Sequence, residues 1–90
     1  MSAAKTVYVG RKPAGAYVEL ALLFLNTEKE IALTARGKWI SKAVDVAEIL
    51  KRRGLQIKDM TSDTVTMKNR EERDQLVSVM RVTIQKRETA

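Results

Sequence analysis

The chain contains neither cysteine nor histidine. Without cysteine there is no disulfide framework, no thiolate metal site and no thiol nucleophile. Without histidine the side chain most used as general base and as metal ligand is gone as well. Proline occurs once and glycine four times in 90 residues, which excludes collagen-like and Pro/Gly-rich disordered chains. Aromatics make up 4%, too few for rows of base-stacking rings on alternating strand positions. No hydrophobic run is long. The most apolar stretch, AYVELALLFL at 16–25, is interrupted by Glu19 and falls well short of the ~20 residues that span a bilayer. The opening MSAAKTVYVG lacks the apolar segment of a secretory leader. The expectation is a cytoplasmic protein with no membrane partner.

What is present is a globular composition, 44% hydrophobic and 31% charged. The length predicts a single domain, 1–90, which buries roughly 60–65% of its surface and often completes its core by pairing with a second copy. Lys plus Arg outnumber Asp plus Glu by 17 to 11, for a net charge of +6 and a pI near 9.9. Such a balance suits a polyanionic partner.

TVYVG, at 6–10, is a short β-branched and aromatic run, a first strand. Pro13 then suits the first position of a helix that continues to Asn26. Glu19 and Asn26 are its main polar residues, so most of its circumference needs covering. EIALTARG, from residue 30, alternates Ile31, Leu33 and Ala35 with Ala32, Thr34 and Arg36, as a half-buried strand does. WISKAVDVAEILKRR changes to helical period, with Ile40, Ala43 or Val44, Ala47 and Leu50 as one stripe that Val46 and Ile49 widen. Glu48 and Arg52 have the favoured i,i+4 order of an ion pair, and Gly54 is a helix stop. Residues 55–68 and 76–87 read as strands joined by the charged loop KNREERDQ. The order β-α-β-α-β-β predicts an α+β two-layer sandwich, two helices on one face of a four-stranded mixed sheet.

The positive charge is uneven: residues 1–12 carry +3 and residues 36–53 carry +4, whereas 13–35 carry −2. The surplus sits at two junctions that follow strands, GRKP and ARGK. If those strands are parallel neighbours, both junctions fall at the same edge of the sheet, and Arg11, Lys12, Arg36, Lys38 and Lys42 converge on one rim. Helix N-termini begin there too, adding free N–H donors, and Gly10 and Gly37 would let a sugar-phosphate backbone come close. The rim is matched to phosphate. In the hairpin loop Lys68, Arg70 and Arg73 are offset by Glu71, Glu72 and Asp74. Tyr17 reads as helix packing, and Trp39 as a residue of the rim or of a protein contact.

An enzyme would draw on Ser41, Lys42, Asp45 and Glu48, which share one helix with no histidine or cysteine beside them. Ser41 lacks the glycine-framed elbow of a serine nucleophile, and Glu28, Glu30, Asp59 and Asp63 lack metal-loop spacing. The expectation is no catalysis, no cofactor, no metal and no small-molecule substrate.

VYVGRKPAGAYV followed by ARGKWISKAVDVAEIL resembles the Alba family, small basic chromatin proteins of archaea with relatives in RNA-binding complexes. The likeness runs over about residues 6–87. It implies a fold similar to the C-terminal domain of bacterial translation initiation factor three, and a homodimer whose two rims and two hairpins share one side. Matched by position, Arg11, Lys12, Arg36, Gly37 and Lys38 would meet phosphates of double-stranded DNA, with Arg70 and Arg73 in an arm toward the minor groove; Lys42 joins these nucleic-acid-binding residues from the rim geometry alone. The implied setting is the nucleoid, the implied role architectural. Two further roles stay open, RNA binding in processing or stability and a scaffold pairing with a paralogue. Arg11 replaces the lysine common in relatives, so any acetylation there would fall to Lys12, and Gly54 replaces a large apolar residue through which dimers pack side by side.

Overall fold

The computed structural model describes residues 5–87. They form β1 (Lys5–Tyr8), α1 (Ala14–Leu25), β2 (Glu30–Arg36), a single 3-10 turn (Gly37–Trp39), α2 (Ile40–Arg52), β3 (Leu55–Lys68) and β4 (Asp74–Lys86). The sheet order is β1-β2-β4-β3. β1 runs parallel to β2, with Lys5 opposite Ile31 and Tyr8 opposite Thr34, and the remaining pairs are antiparallel. The expected α+β sandwich with a mixed four-stranded sheet is therefore the observed one.

The core follows from the period-2 alternation of the strands. Val7, Val9, Ile31, Leu33, Ala35, Met80, Val82 and Ile84 are buried beneath the helices. α1 contributes Tyr17, Val18, Ala21 and Leu25 to it, and α2 contributes Ala43, Val46, Ala47 and Leu50. The small Ala21, Ala43 and Ala47 are essentially fully buried, which lets the two helices and the sheet approach closely. In α2 the stripe is turned slightly from the expected one: Val46 is in the core, while Ile40 and Val44 are half-buried on its flank. Glu48 and Arg52 are not among the two ion pairs within 4 Å in the described residues, Lys58–Glu30 and Arg73–Glu71. α1 departs more clearly. Most of its circumference was expected to be covered, yet within one protomer Leu23 is 61% exposed and Leu20 is exposed beside it.

α2 ends where Gly54 takes φ +92 and its N–H donates to the Lys51 carbonyl at 3.0 Å. A left-handed residue in this place closes a helix, and glycine adopts it without strain. That is a local reason for Gly54, independent of any contact between dimers.

β3 and β4 leave the body as a long hairpin, and residues 58–66 of β3 are exposed on both faces. The Cα extents are 51 × 31 × 18 Å and the radius of gyration is 14.0 Å, against about 12 Å for a compact chain of this length. β4 begins at Asp74, two residues earlier than expected. The Asn69 side chain shortens the loop: its Oδ1 accepts from the N–H groups of Glu71 at 2.9 Å and Arg73 at 3.0 Å, while the Asn69 N–H donates to the Arg73 carbonyl at 3.0 Å.

Candidate nucleic-acid interface

Because β1 and β2 are parallel neighbours, the segments that leave them emerge at one edge of the sheet. The first, residues 9–13, is shaped by hydrogen bonds that the sequence did not announce. The Tyr17 hydroxyl accepts from the N–H groups of Gly10 at 2.9 Å and Lys12 at 3.1 Å. From the other side Lys42 of α2 donates through Nζ to the carbonyls of Gly10 at 2.8 Å and Lys12 at 2.7 Å. The GRKP segment is thus held between one oxygen and one ammonium. Its backbone groups face inward, and the side chains of Arg11 and Lys12 stay exposed.

At the second junction β2 passes into α2 through the 3-10 turn. Gly37 sits there at φ +57, a conformation that strains any side chain although the nearest atom to a Cβ, on Val77, would be 4.0 Å away. A Cβ on Gly10 would lie 3.4 Å from the Tyr17 hydroxyl. Gly37 therefore has a conformational reason of its own, beyond admitting a sugar-phosphate backbone, whereas at Gly10 a side chain would only come into contact with the Tyr17 hydroxyl. Trp39 answers why an aromatic stands among cations: Lys38 Nζ lies 4.9 Å and Lys42 Nζ 4.7 Å from its ring centroid. Each contact contributes about 0.5–1 kcal/mol and ties its ammonium group to the ring at the second junction.

The expected rim cations occupy distinct places. Arg11, Lys12, Arg36 and Lys38 are exposed along this edge, whereas Lys42 is half-buried and commits two of its three donors to the GRKP carbonyls. It is the brace between the junctions more than a free phosphate grip. Neither helix start has a side-chain cap or an acidic residue in its first turn, so nothing competes with an anion there. The N–H groups of Gly10 and Lys12, just before α1, are taken by the Tyr17 hydroxyl and are not offered to an anion. The Arg36 guanidinium reaches along the hairpin to Met67, its Nη1 3.3 Å from the sulfur, two positions before the turn that carries Arg70 and Arg73. Arg73 faces Glu71 at 3.8 Å with both side chains largely exposed, a pairing worth little.

Tyr17 is the residue the sequence reading missed. Its ring packs in the helix layer as expected, but the hydroxyl does the positioning, and no spacing rule points from a helical tyrosine to N–H groups five and seven residues earlier. Tyr17→Phe should keep the packing and leave two part-buried donors without a partner, at a cost of about 1–3 kcal/mol. The expected result is a lower Tm together with weaker polyanion binding, as Arg11 and Lys12 lose their fixed base. An unchanged melting curve would show that water replaces the hydroxyl without loss.

The Alba family profile matches residues 5–64. DNA/RNA-binding protein Alba 1 of Archaeoglobus fulgidus is 42% identical over 66 residues, covering 69% of this chain and 74% of the relative. Alba from Thermoplasma volcanium superposes with a TM-score of 0.80 at 34% identity, over 91% of this chain and all of the other. ALBA1 from Trypanosoma brucei gives a TM-score of 0.75 at 25% identity, over 96% of this chain and 72% of the other. The family profile stops within β3, while the structural likeness takes in nearly the whole chain. An exposed hairpin can keep its path while its side chains vary.

Proposed function

The chain belongs to the Alba family, and from that premise we propose that it is a non-catalytic, architectural protein that binds double-stranded DNA with little regard to sequence, as a homodimer. One observation carries the reading: Arg11, Lys12, Arg36 and Lys38 are exposed along a single edge of the sheet, and Lys42 braces the two junctions that present them. Arg70 and Arg73 add cations at the tip of the hairpin, where Glu71, Glu72 and Asp74 offset their charge. About three of these cations in each protomer, Lys12 and Lys38 among them, meet phosphates at one time, and such contacts position a protein on nucleic acid without reporting sequence. The name of the Archaeoglobus relative, a DNA/RNA-binding protein, agrees with this class of partner.

The homodimer has support in uncovered apolar surface. Ile40 and Val44 on the flank of α2 are half-buried, and Met60 of β3 is 49% exposed. Lys42, about half a turn away around the helix, is tied to the β1 side, so Ile40 and Val44 lie on the opposite flank, toward β3. Paired across this flank, two protomers would place two rims and two hairpins in one particle.

A competition titration tests the proposal: a labelled DNA duplex is displaced by unlabelled duplex or by hairpin RNA of equal length, at ~0.15 M salt and at two higher concentrations. If about six phosphates are neutralised per dimer, log K falls with log salt at a slope near −5. DNA binding equal to or tighter than RNA, with that slope, is the expected result. A clear preference for RNA would move the protein to RNA processing or stability. Binding of neither would leave the scaffold that pairs with a paralogue.

A further inference from the structure

The helices cover one face of the sheet, and the other face holds a cavity of about 580 Å³, within the ~300–1,000 Å³ range of small-ligand sites. Its walls are Tyr8, Arg36, Trp39, Val65, Met67 and Val79. We propose that this cavity binds one unpaired nucleobase of a single-stranded segment, with Tyr8 as the stacking surface. The inference rests on the reading of the rim as a phosphate-binding edge, and extends it from duplex to single strands, frayed ends and junctions.

Tyr8 is the first reason. Its neighbours Val7 and Val9 point into the core, and period-2 alternation sends Tyr8 to the open face, where it is 75% exposed. It stands on β1, which among the described residues is an edge strand paired only with β2. An aromatic ring laid open on a sheet is the surface on which single-stranded nucleic acid stacks its bases.

The cavity lining is the second reason. Val65, Met67 and Val79 make an apolar wall from the hairpin, and Arg36 supplies a cation whose Nη1 lies 3.3 Å from the Met67 sulfur. No carboxylate lines the cavity. Thr34, also in the lining, has a hydroxyl oxygen that is shielded from solvent and has no hydrogen-bond partner. An apolar slot with one cation and no acid accepts a flat, electron-rich ring, and a guanidinium adds a cation–π contact.

Continuity is the third. Gly10 and Arg36 belong both to the cavity and to the rim, so a strand whose phosphates lie on Arg11, Lys12 and Lys38 passes the mouth of the cavity. A base inside a duplex is turned toward its partner and stacked on its neighbours. An unpaired base is free to enter.

The experiment titrates the protein with a single-stranded oligonucleotide carrying the fluorescent base 2-aminopurine and, separately, with a blunt duplex, using the native chain, Tyr8→Ser and Tyr8→Phe. Tyr8 is exposed, so both variants should fold, and matching melting curves check this. The expected result is quenching of 2-aminopurine on binding, a loss of single-strand affinity of about 5- to 100-fold in Tyr8→Ser, and retention of affinity and quenching in Tyr8→Phe. Duplex affinity should stay unchanged in all three. If the native chain binds duplex with a steep salt slope but Tyr8→Ser weakens both ligands equally or neither, the base site is wrong and the rim reading survives. If the native chain binds neither ligand, both fall together. A change of oligomeric state in Tyr8→Ser would make the open face a protein contact and overturn the proposal.

Discussion

Replacing Lys12 and Lys38 together by alanine lowers affinity for a DNA duplex by about 10³-fold at ~0.15 M salt, and reduces the log–log salt slope from about −5 to about −2. The estimate follows from counting. Each phosphate contact contributes about −0.9 to the slope, which between 1 M and ~0.15 M salt is about fivefold in affinity, and a homodimer loses four contacts. The two lysines come one from each junction, and neither side chain bonds the backbone; Lys12 takes part in the GRKP brace through its main chain alone. The fold should therefore be kept, at a cost of about 0.5–1 kcal/mol for the lost Lys38–Trp39 contact. The matched control is Lys51→Ala with Arg52→Ala, which removes the same charge from the far end of α2. If net charge alone governed binding, the two double variants would behave alike. A much smaller loss in the control places the effect at the rim. Loss of affinity with an unchanged slope would mean that the lysines do not meet phosphates.

Val44→Glu has the second largest expected effect. Val44 is only half-buried in one protomer, so the substitution is tolerable there, whereas a carboxylate set against its symmetry mate in a C2 interface would be desolvated and repelled. The variant should sediment as a monomer, bind duplex about 10²-fold more weakly, and show a salt slope near half that of the native protein, since three phosphates rather than six are then neutralised together. Its Tm should fall and lose its dependence on protein concentration. A Val44→Glu protein that keeps twice the monomer mass would move the interface to the other uncovered apolar strip, Leu20 and Leu23 on α1.

The comparison of these residues with the sequence separates two kinds of information. Val7, Val9, Ile31, Leu33 and Ala35 declare their strands by alternation, and Ala43, Ala47 and Leu50 their helix by period, because burial on one side imposes a repeat that neighbours along the chain share. Gly54 as a helix stop and the cationic GRKP and ARGK segments were legible for the same local reason. The hairpin was legible as two strands, but its loop was misjudged by two residues, since closure depends on the side chain of Asn69 folding back on the main chain. Most of the circumference of α1 was expected to be covered, yet Leu20 and Leu23 are exposed, because composition records how apolar a helix is and not how many neighbours it has.

Thus the sequence by itself determined the order of elements, the two cationic junctions and the absence of acid–base or metal chemistry from histidine or cysteine, all properties carried by residue type and short-range spacing. Tertiary structure alone decided that Tyr17 and Lys42 grip opposite sides of one backbone segment, that Arg36 reaches Met67, and that Tyr8 opens onto a cavity. Those relations join residues 5 to 32 positions apart, or 57 in the case of Tyr8 and Val65. They arise from the parallel pairing of β1 with β2 and from helices packed across it, and no repeat along the chain encodes them.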